Sequence, residues 1–208
     1  LLKKEQHENE SLQNIDQIKK ENVKTEPFEH IIIEDFVLNL HDAYTFKQYL
    51  KTMEDLSDES YFVDGPRHVS PYFNILELIK DSEKEFADAI NEVWGVDVDG
   101  INCVNNMISK GQNLHVHNDY YEEHETANFP PVRGIIYCNP KYNFGTNIYD
   151  HDENKNFIQE SMQTIGGKPG TLFLFRVSET SWHSAINPDG NSHRLIVSLQ
   201  AVNRKTSK

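Results

Sequence analysis

The sequence predicts a mainly β protein, a β-sandwich or jelly roll with two helices packed on the outside of one sheet. Three observations lead to this prediction. After Gly95 the chain consists of short apolar runs separated by turn residues, as in all-β domains. Before Gly95, two stretches carry apolar residues at helical spacing. The length of 208 residues suits one domain with a substantial core.

The first 25 residues differ in composition from the rest of the chain. They are dense in Lys, Glu, Gln and Asn and have few apolar positions. Such a segment offers too little apolar surface for a core of its own. We therefore expect a polar extension, helical or disordered, over residues 1–25 and one domain over residues 26–208. The first strand is predicted at Ile31-Ile32-Ile33, because β-branched residues favour strands.

Two helices are predicted between this strand and Gly95. The first runs from an N-cap at Asp42 to about Met53, and the second from about Ile75 to Trp94. In the second, apolar residues follow one face and charged residues the other. This pattern favours packing against a sheet, with the charges in water.

Eight further strands are predicted after the second helix. Gly, Pro and Asp-Gly turn signals separate them. They cover Ile101–Ile108, Asn113–Asp119, Val132–Cys138, Thr146–Tyr149, Phe157–Ile165, Thr171–Val177, Trp182–Ile186 and Arg194–Val202. Strands at this regular spacing are typical of a sandwich or jelly roll.

Composition argues against two classes of partner. A formal net charge of −13 at pH 7 disfavours binding to nucleic acid or anionic membranes, since phosphate contacts need clustered Lys and Arg. No apolar stretch is long enough to span a bilayer. Cys103 and Cys138 lie in apolar runs and are expected to be buried free thiols in a reducing compartment. We therefore expect a cytoplasmic protein that binds neither nucleic acid nor membranes.

The stretch Leu114-His-Val-His-Asn-Asp119 carries the strongest chemical signal. On a strand, alternation would place His115, His117 and Asp119 on one face. Distant strands of a jelly roll can bring His183 to the same point. Two imidazoles and one carboxylate leave three coordination positions open, as in non-haem Fe(II) oxygenases. We predict that His117, Asp119 and His183 bind iron.

Arg194 opens the last predicted strand, which is otherwise mostly apolar. A cation there needs an anion, and guanidinium donates two parallel hydrogen bonds to a carboxylate. A surface arginine at a strand edge is the alternative. Arg133, Lys168 and Arg176 are predicted to be surface or rim charges.

Taken together, these residues resemble the 2-oxoglutarate- and Fe(II)-dependent dioxygenases, particularly their prolyl-4-hydroxylase-like branch. The similarity runs from about Pro27 to Val202, and the order of its motifs is more specific than any one of them. The motifs are Pro27-Phe-Glu-His30 before a strand, His117-x-Asp119, Tyr137-Cys-Asn-Pro before Gly145-Thr146, Lys168-Pro-Gly-Thr-Leu-Phe-Leu-Phe, Ser181-Trp-His183 and Arg194.

The resemblance implies a double-stranded β-helix that holds Fe(II) through His117, Asp119 and His183. It further implies that Arg194 binds the distal carboxylate of 2-oxoglutarate. The expected reaction is hydroxylation of an unactivated C–H bond in a small molecule, amino acid or prolyl residue of a peptide. O2 would be the co-substrate and ascorbate a candidate reductant.

One position departs from the family pattern. Many relatives carry a hydroxyl two residues after this arginine, where the present chain has Ile196. Tyr137 and Ser198 are candidate replacements for the missing hydroxyl. Asn105, on a neighbouring predicted strand, is a further candidate contact to 2-oxoglutarate.

Two other interpretations remain open. A cupin-type metal enzyme would use His115, His117, Glu122 and His183 on the same jelly roll. A non-catalytic β-sandwich binding module would hold the histidines incidentally or with a structural zinc. The cupin interpretation is distinguished by Glu122, in place of Asp119, at the metal, and by the direction in which Arg194 points.

Overall fold

Two antiparallel sheets form most of the structure, which is a computed structural model. The structure describes residues 14–37, 79–108, 113–120, 130–138, 145–185 and 194–205, apart from the side chains of 104–108. The strands are β1 (His30–Ile33), β2 (Gly100–Ile108), β3 (Leu114–His117), β4 (Val132–Tyr137), β5 (Thr146–Ile148), β6 (Gln163–Ile165), β7 (Leu172–Arg176), β8 (His183–Ala185) and β9 (Arg194–Val202).

The strands are ordered β1-β7-β4-β9-β2 in the five-stranded sheet and β3-β8-β5-β6 in the four-stranded sheet. Neighbours in each sheet are mostly distant in sequence, and the paired strands run antiparallel. This confirms the prediction of a mainly β protein and is consistent with a jelly roll.

The last strand shows how the sheet separates two hydrophobic cores. Alternation along β9 sends one set of side chains to each face. Leu195, Val197 and Leu199 lie in the outer core, whereas Ile196 lies in the inner one, which combines residues of both sheets. Arg194 shares the inner face with Ile196. The inner core contains Phe28, Tyr137, Ile148, Ile165, Phe173, Phe175 and Ile196.

Helix α1 (Glu83–Trp94) covers the outer core. Its buried residues recur at helical spacing: Phe86, Ala87, Ile90, Val93 and Trp94. The helix ends at Gly95, whose φ of 63° is a left-handed conformation that glycine adopts without strain. Helix α1 matches the C-terminal part of the second predicted helix. The first predicted helix lies outside the described residues.

The described part of the predicted polar extension, residues 14–25, packs against the rest of the structure. They form two short 3-10 helices, Ile15–Gln17 and Lys20–Asn22. The side chains of Ile15 and Ile18 are buried in the outer core. Two apolar residues three apart are enough to anchor one turn, but they are too few to stand out in a polar sequence.

The predicted strand over Phe157–Ile165 is wrong in its first half. A 3-10 helix, Gln159–Ser161, precedes the short strand β6. Asp152 explains part of this, because its carboxylate accepts the backbone N–H groups of Asn154 and Asn156 and stabilises a turn. Phe157 and Met162 are partly exposed, so the apolar run does not mark a buried strand.

Cys103 and Cys138 are free thiols, as predicted. Burial raises the pKa of Cys103 to about 12 and raises that of Cys138 as well, so neither is a reactive thiolate. Among the helices of the described ranges, none has the length and apolar character needed to cross a membrane.

Candidate metal centre

His117 and His183 are neighbours because β3 and β8 pair antiparallel. The two residues are direct partners in the ladder, and their ring centroids are 4.2 Å apart. The expectation that distant strands bring these histidines together is therefore met. The site lies at the edge of the four-stranded sheet, where β3 ends.

Asp119 reaches the histidines by a turn and not by strand alternation. Strand β3 ends at His117, and its pairing with β8 shifts register between Leu114 and His117. Asp119 has a φ of 61°, a left-handed conformation that Asp tolerates better than most residues. The predicted strand over Asn113–Asp119 is therefore too long at its end. His115 is exposed and lies outside the group formed by the other three residues.

The three side chains lie at distances that suit a single ion. Asp119 Oδ2 is 3.4 Å from His183 Nε2, and Asp119 Oδ1 is 3.7 Å from His117 Nε2. The candidate ligand atoms all lie within 4.8 Å of one another. Ligands about 2.1 Å from one ion are separated by about 3 to 4 Å. The arrangement therefore fits a metal ion with little movement.

Both imidazoles are oriented with Nε2 toward the Asp119 carboxylate. His117 Nδ1 donates to the carbonyl of His115, and His183 Nδ1 donates to that of Ser181, each over 2.8 Å. Since a carbonyl oxygen only accepts, each Nδ1 carries a proton, and Nε2 is the ring nitrogen that would bind a metal. These carbonyls thus orient the rings, as hydrogen-bonded partners commonly do for metal-binding histidines.

The charges of the group also suit a cation. Burial alone would raise the pKa of Asp119, but hydrogen bonding and charge interactions with His183, together with Arg133 and His117, bring it to about 2. The pKa of His117 is lowered, chiefly by burial and then by His183. At neutral pH the group therefore offers one carboxylate and at least one neutral imidazole, and these are acceptors that bind a divalent cation.

Arg133 is a functional candidate that the sequence did not reveal. It was predicted to be a surface or rim charge, but its Nη1 donates to Asp119 Oδ1 over 3.0 Å. Its side chain is only 27% exposed. The contact joins β4 of one sheet to the end of β3 in the other. The other two predicted surface charges, Lys168 and Arg176, do form partly exposed ion pairs at the surface.

Arg194 points into the interior between the sheets. It is 1% exposed, and its Nη2 donates to the hydroxyl of Thr146 over 3.1 Å. Within the described part of the chain, Arg194 Nε is buried without a hydrogen-bond partner, and no carboxylate pairs with the guanidinium. An uncompensated buried charge costs several kcal/mol. The interior therefore fits an anionic ligand.

Thr146 places a hydroxyl beside Arg194 from the opposite sheet. Its Oγ1 accepts from Tyr137 Oη over 2.7 Å as well as from Arg194. Burial raises the pKa of Tyr137 and keeps its phenol protonated. With both lone pairs of Oγ1 engaged, the proton of Thr146 is left to donate. The motif Gly145-Thr146 was the available signal, but the sequence did not show that its hydroxyl meets Arg194.

Two further residues, Ser198 and Asn105, were predicted to contact 2-oxoglutarate. Ser198 follows Arg194 and Ile196 on the same face of β9 by alternation. Asn105 pairs with Val197 in the β2–β9 ladder, and its side chain is outside the described part.

The cupin ligand set is not assembled, because His115 is exposed and lies outside the group of His117, Asp119 and His183. Glu122, the other cupin ligand, lies outside the described residues.

Comparison with known proteins finds structures of similar fold but no protein of closely similar sequence. No protein-family model matches the chain, and no curated protein matches it. Many similar structures are 2-oxoglutarate- and Fe(II)-dependent oxygenases, including prolyl-4-hydroxylases. Sequence identities to them are low, at 10–17%, so the similarity shows the fold alone.

Three of these structures illustrate the similarity. A prolyl-4-hydroxylase from Pseudomonas putida superposes with a TM-score of 0.55 at 13% identity, covering 84% of this chain and 88% of that one. A Trichoplax adhaerens prolyl hydroxylase, in complex with a hypoxia inducible factor oxygen degradation domain peptide fragment, gives 0.54 at 14%, covering 85% and 84%. EctD from S. alaskensis, with 2-oxoglutarate and 5-hydroxyectoine, gives 0.51 at 17%, covering 85% and 73%.

Proposed function

We propose that the protein is a 2-oxoglutarate- and Fe(II)-dependent hydroxylase with a double-stranded β-helix fold. One observation carries this proposal: a metal-compatible His-Asp-His group and a buried guanidinium without a described carboxylate partner share one interior. Phe175 links the two, because its ring contacts His183 at 4.9 Å between centroids and belongs to the same core as Tyr137. A dicarboxylate that chelates iron at one end needs such a cation at the other.

Each residue has a role in this proposal. His117, Asp119 and His183 hold the iron through two nitrogens and one oxygen, which leaves three positions for other ligands. Arg194 and Thr146 bind the distal carboxylate of 2-oxoglutarate through their free donors. Tyr137 holds Thr146 in place. Ser198 and Asn105 stay candidate contacts to the same ligand.

Bound iron and 2-oxoglutarate would supply the chemistry, in which O2 converts the 2-oxo acid to succinate and CO2 and one oxygen atom enters a substrate C–H bond. The chain positions the reactants and excludes water. Phe28, Phe173 and Phe175 form an apolar wall, and a dry interior strengthens the attraction between Arg194 and a carboxylate. A bound carboxylate would also offset part of the cost of burying the Arg194 charge.

The substrate is proposed by class alone. A small molecule, an amino acid or a prolyl residue of a peptide is consistent with the fold, and the similar structures include a prolyl hydroxylase bound to a peptide fragment. We expect residues 55–71 and 120–131 to select the substrate, and these segments fall largely outside the described part. A role for ascorbate, a cytoplasmic location and the lack of nucleic-acid and membrane binding stay predictions.

The proposal is tested by succinate formation. We expect succinate only when Fe(II), 2-oxoglutarate and O2 are all present, and more of it when a substrate from a panel of amino acids, prolyl peptides and small metabolites is added. Asp119→Asn should abolish it. Asp88→Asn is the matched control, because Asp88 pairs with Lys84 on the exposed face of α1. Equal succinate formation by the Asp119→Asn variant would refute the proposal.

A further inference from the structure

The two oxygens of the Asp119 carboxylate have different neighbours. Oδ1 accepts from Arg133 Nη1 at 3.0 Å and also faces His117 Nε2 at 3.7 Å, whereas Oδ2 faces His183 Nε2 at 3.4 Å. We propose that Arg133 is a positioning residue that holds Oδ1, so that Asp119 binds the metal through Oδ2 alone. This inference rests on the proposed function and extends it to a residue that does not itself bind metal.

The fold fixes Arg133 where this contact is made. Strand β4 lies between β7 and β9, and Arg133 pairs with Phe175 on one side and Gln200 on the other. Direct partners in a ladder share a face, so Arg133 lies on the inner face with Phe175, whose ring contacts His183. A central strand leaves little freedom for the backbone that carries the guanidinium.

The ion pair is sheltered from water. The Asp119 side chain is 11% exposed, and charged groups in such surroundings are screened less than surface pairs. Among the described residues, the carboxylate that lies within ion-pair distance of Arg133 is that of Asp119. Charge-assisted hydrogen bonds of this kind are shorter and stronger than neutral ones. The contact therefore gives Oδ1 a strong hydrogen-bond donor that competes with a metal for this oxygen.

The number of oxygens that Asp119 gives to the metal matters for the reaction. Carboxylates bind cations through one oxygen or through two. With two histidines, a second oxygen from Asp119 would leave two of six octahedral positions free instead of three. In the proposed function, 2-oxoglutarate and O2 would need the positions that two histidines and one carboxylate oxygen leave open. By holding Oδ1, Arg133 would favour binding through Oδ2 alone and keep the third position open.

The experiment uses Co(II), whose visible absorption reports its coordination, and needs no turnover. Wild-type protein, Arg133→Met, Arg133→Lys and Arg176→Met are titrated with Co(II) and then, at saturating Co(II), with 2-oxoglutarate. Arg176 is the matched control, since it lies on the neighbouring strand β7 and pairs with the partly exposed Glu29.

We expect Arg133→Met to bind Co(II) but to show an altered Co(II) spectrum and an affinity for 2-oxoglutarate lowered about tenfold, the equivalent of about 1.4 kcal/mol. Arg133→Lys keeps a charged donor and should restore most of that affinity. Arg176→Met should match wild type. Wild-type spectra and affinity in Arg133→Met would overturn the inference.

Two further outcomes are informative. If Arg133→Met does not fold, as judged by far-UV circular dichroism, Arg133→Gln is measured in its place against the same expectation, and a wild-type result there overturns the inference. If wild-type protein binds Co(II) but not 2-oxoglutarate, the proposed function fails. The Co(II) spectrum without 2-oxoglutarate then still tests Arg133: a change confined to Arg133 variants supports its role, and no change refutes it.

Discussion

Arg194 and Thr146 join the two sheets across the interior, with Arg194 Nη2 donating to Thr146 Oγ1 over 3.1 Å. Arg194 begins β9 of the five-stranded sheet, and Thr146 begins β5 of the four-stranded sheet. Tyr137 donates to the same hydroxyl from β4. Three strands thus build one buried, positively charged site, and no single strand contains it.

Thr146→Val should weaken 2-oxoglutarate binding and lower stability. Valine keeps the shape but removes the acceptor shared by Tyr137 and Arg194. Leaving a buried donor unpaired costs about 1–3 kcal/mol, and we expect the free energy of unfolding to fall by this amount in urea denaturation. Affinity for 2-oxoglutarate should fall about tenfold by titration calorimetry, a loss of about 1.4 kcal/mol, with metal binding unchanged.

Thr164→Val is the control for this prediction. Thr164 lies on the neighbouring strand β6, and its hydroxyl donates to Asn147 Oδ1. Asn147 also contacts Ser184 and not the Arg194 site. A similar loss of 2-oxoglutarate affinity in both variants would show that the hydroxyl of Thr146 has no special part in binding.

Arg194→Met should separate ligand binding from stability. Methionine retains apolar bulk and removes a buried charge that lacks a described carboxylate partner, and such replacements are often neutral or stabilising. We expect the ligand-free variant to unfold at or above the wild-type temperature. With metal present, 2-oxoglutarate should raise the melting temperature of wild type but not of the variant. A variant that is still stabilised by 2-oxoglutarate would rule out Arg194 as its anchor.

His30 should make the folded protein less stable as pH falls. Burial among Phe28 and Phe173 lowers the pKa of His30 below its usual 6.5. In the unfolded chain this histidine binds a proton near pH 6.5, whereas in the folded protein it does so only at lower pH. The unfolded state therefore gains protons first, and the free energy of unfolding should decrease as pH drops below about 6.5.

The measurement for His30 is urea denaturation at pH 7.5 and pH 5.5 in wild type and His30→Gln. The difference between the two pH values should be smaller in the variant, because glutamine does not titrate. His151→Gln, at an exposed position, serves as the control and should behave like wild type. An unchanged pH dependence in His30→Gln would show that another group causes it.

Local patterns in the sequence were enough to locate most strands and the two histidines. Strand β9 spans the predicted Arg194–Val202 without change, since its apolar run is bounded by a turn signal. His117 and His183 meet because each lies on a strand that alternation and turn residues had marked. These features depend on residues close together in the chain.

Contacts between the sheets could not be predicted in this way. Thr146 and Arg133 have ordinary positions on short strands, and their importance comes from Arg194 and Asp119, which lie on other elements. Asp119 enters the site through a left-handed turn, which strand periodicity does not predict. The buried Ile15 and Ile18 were missed for a similar reason, because their partners in the core are far away in sequence.

The central claim, that His117, Asp119 and His183 hold iron beside a 2-oxoglutarate site, is tested most directly by anaerobic absorption spectroscopy. Fe(II) with 2-oxoglutarate should give wild-type protein a weak visible charge-transfer band. The band should be absent in His183→Ala and in Asp119→Ala, and present in His151→Ala, which removes an exposed histidine. A band of wild-type intensity in His183→Ala would contradict the account.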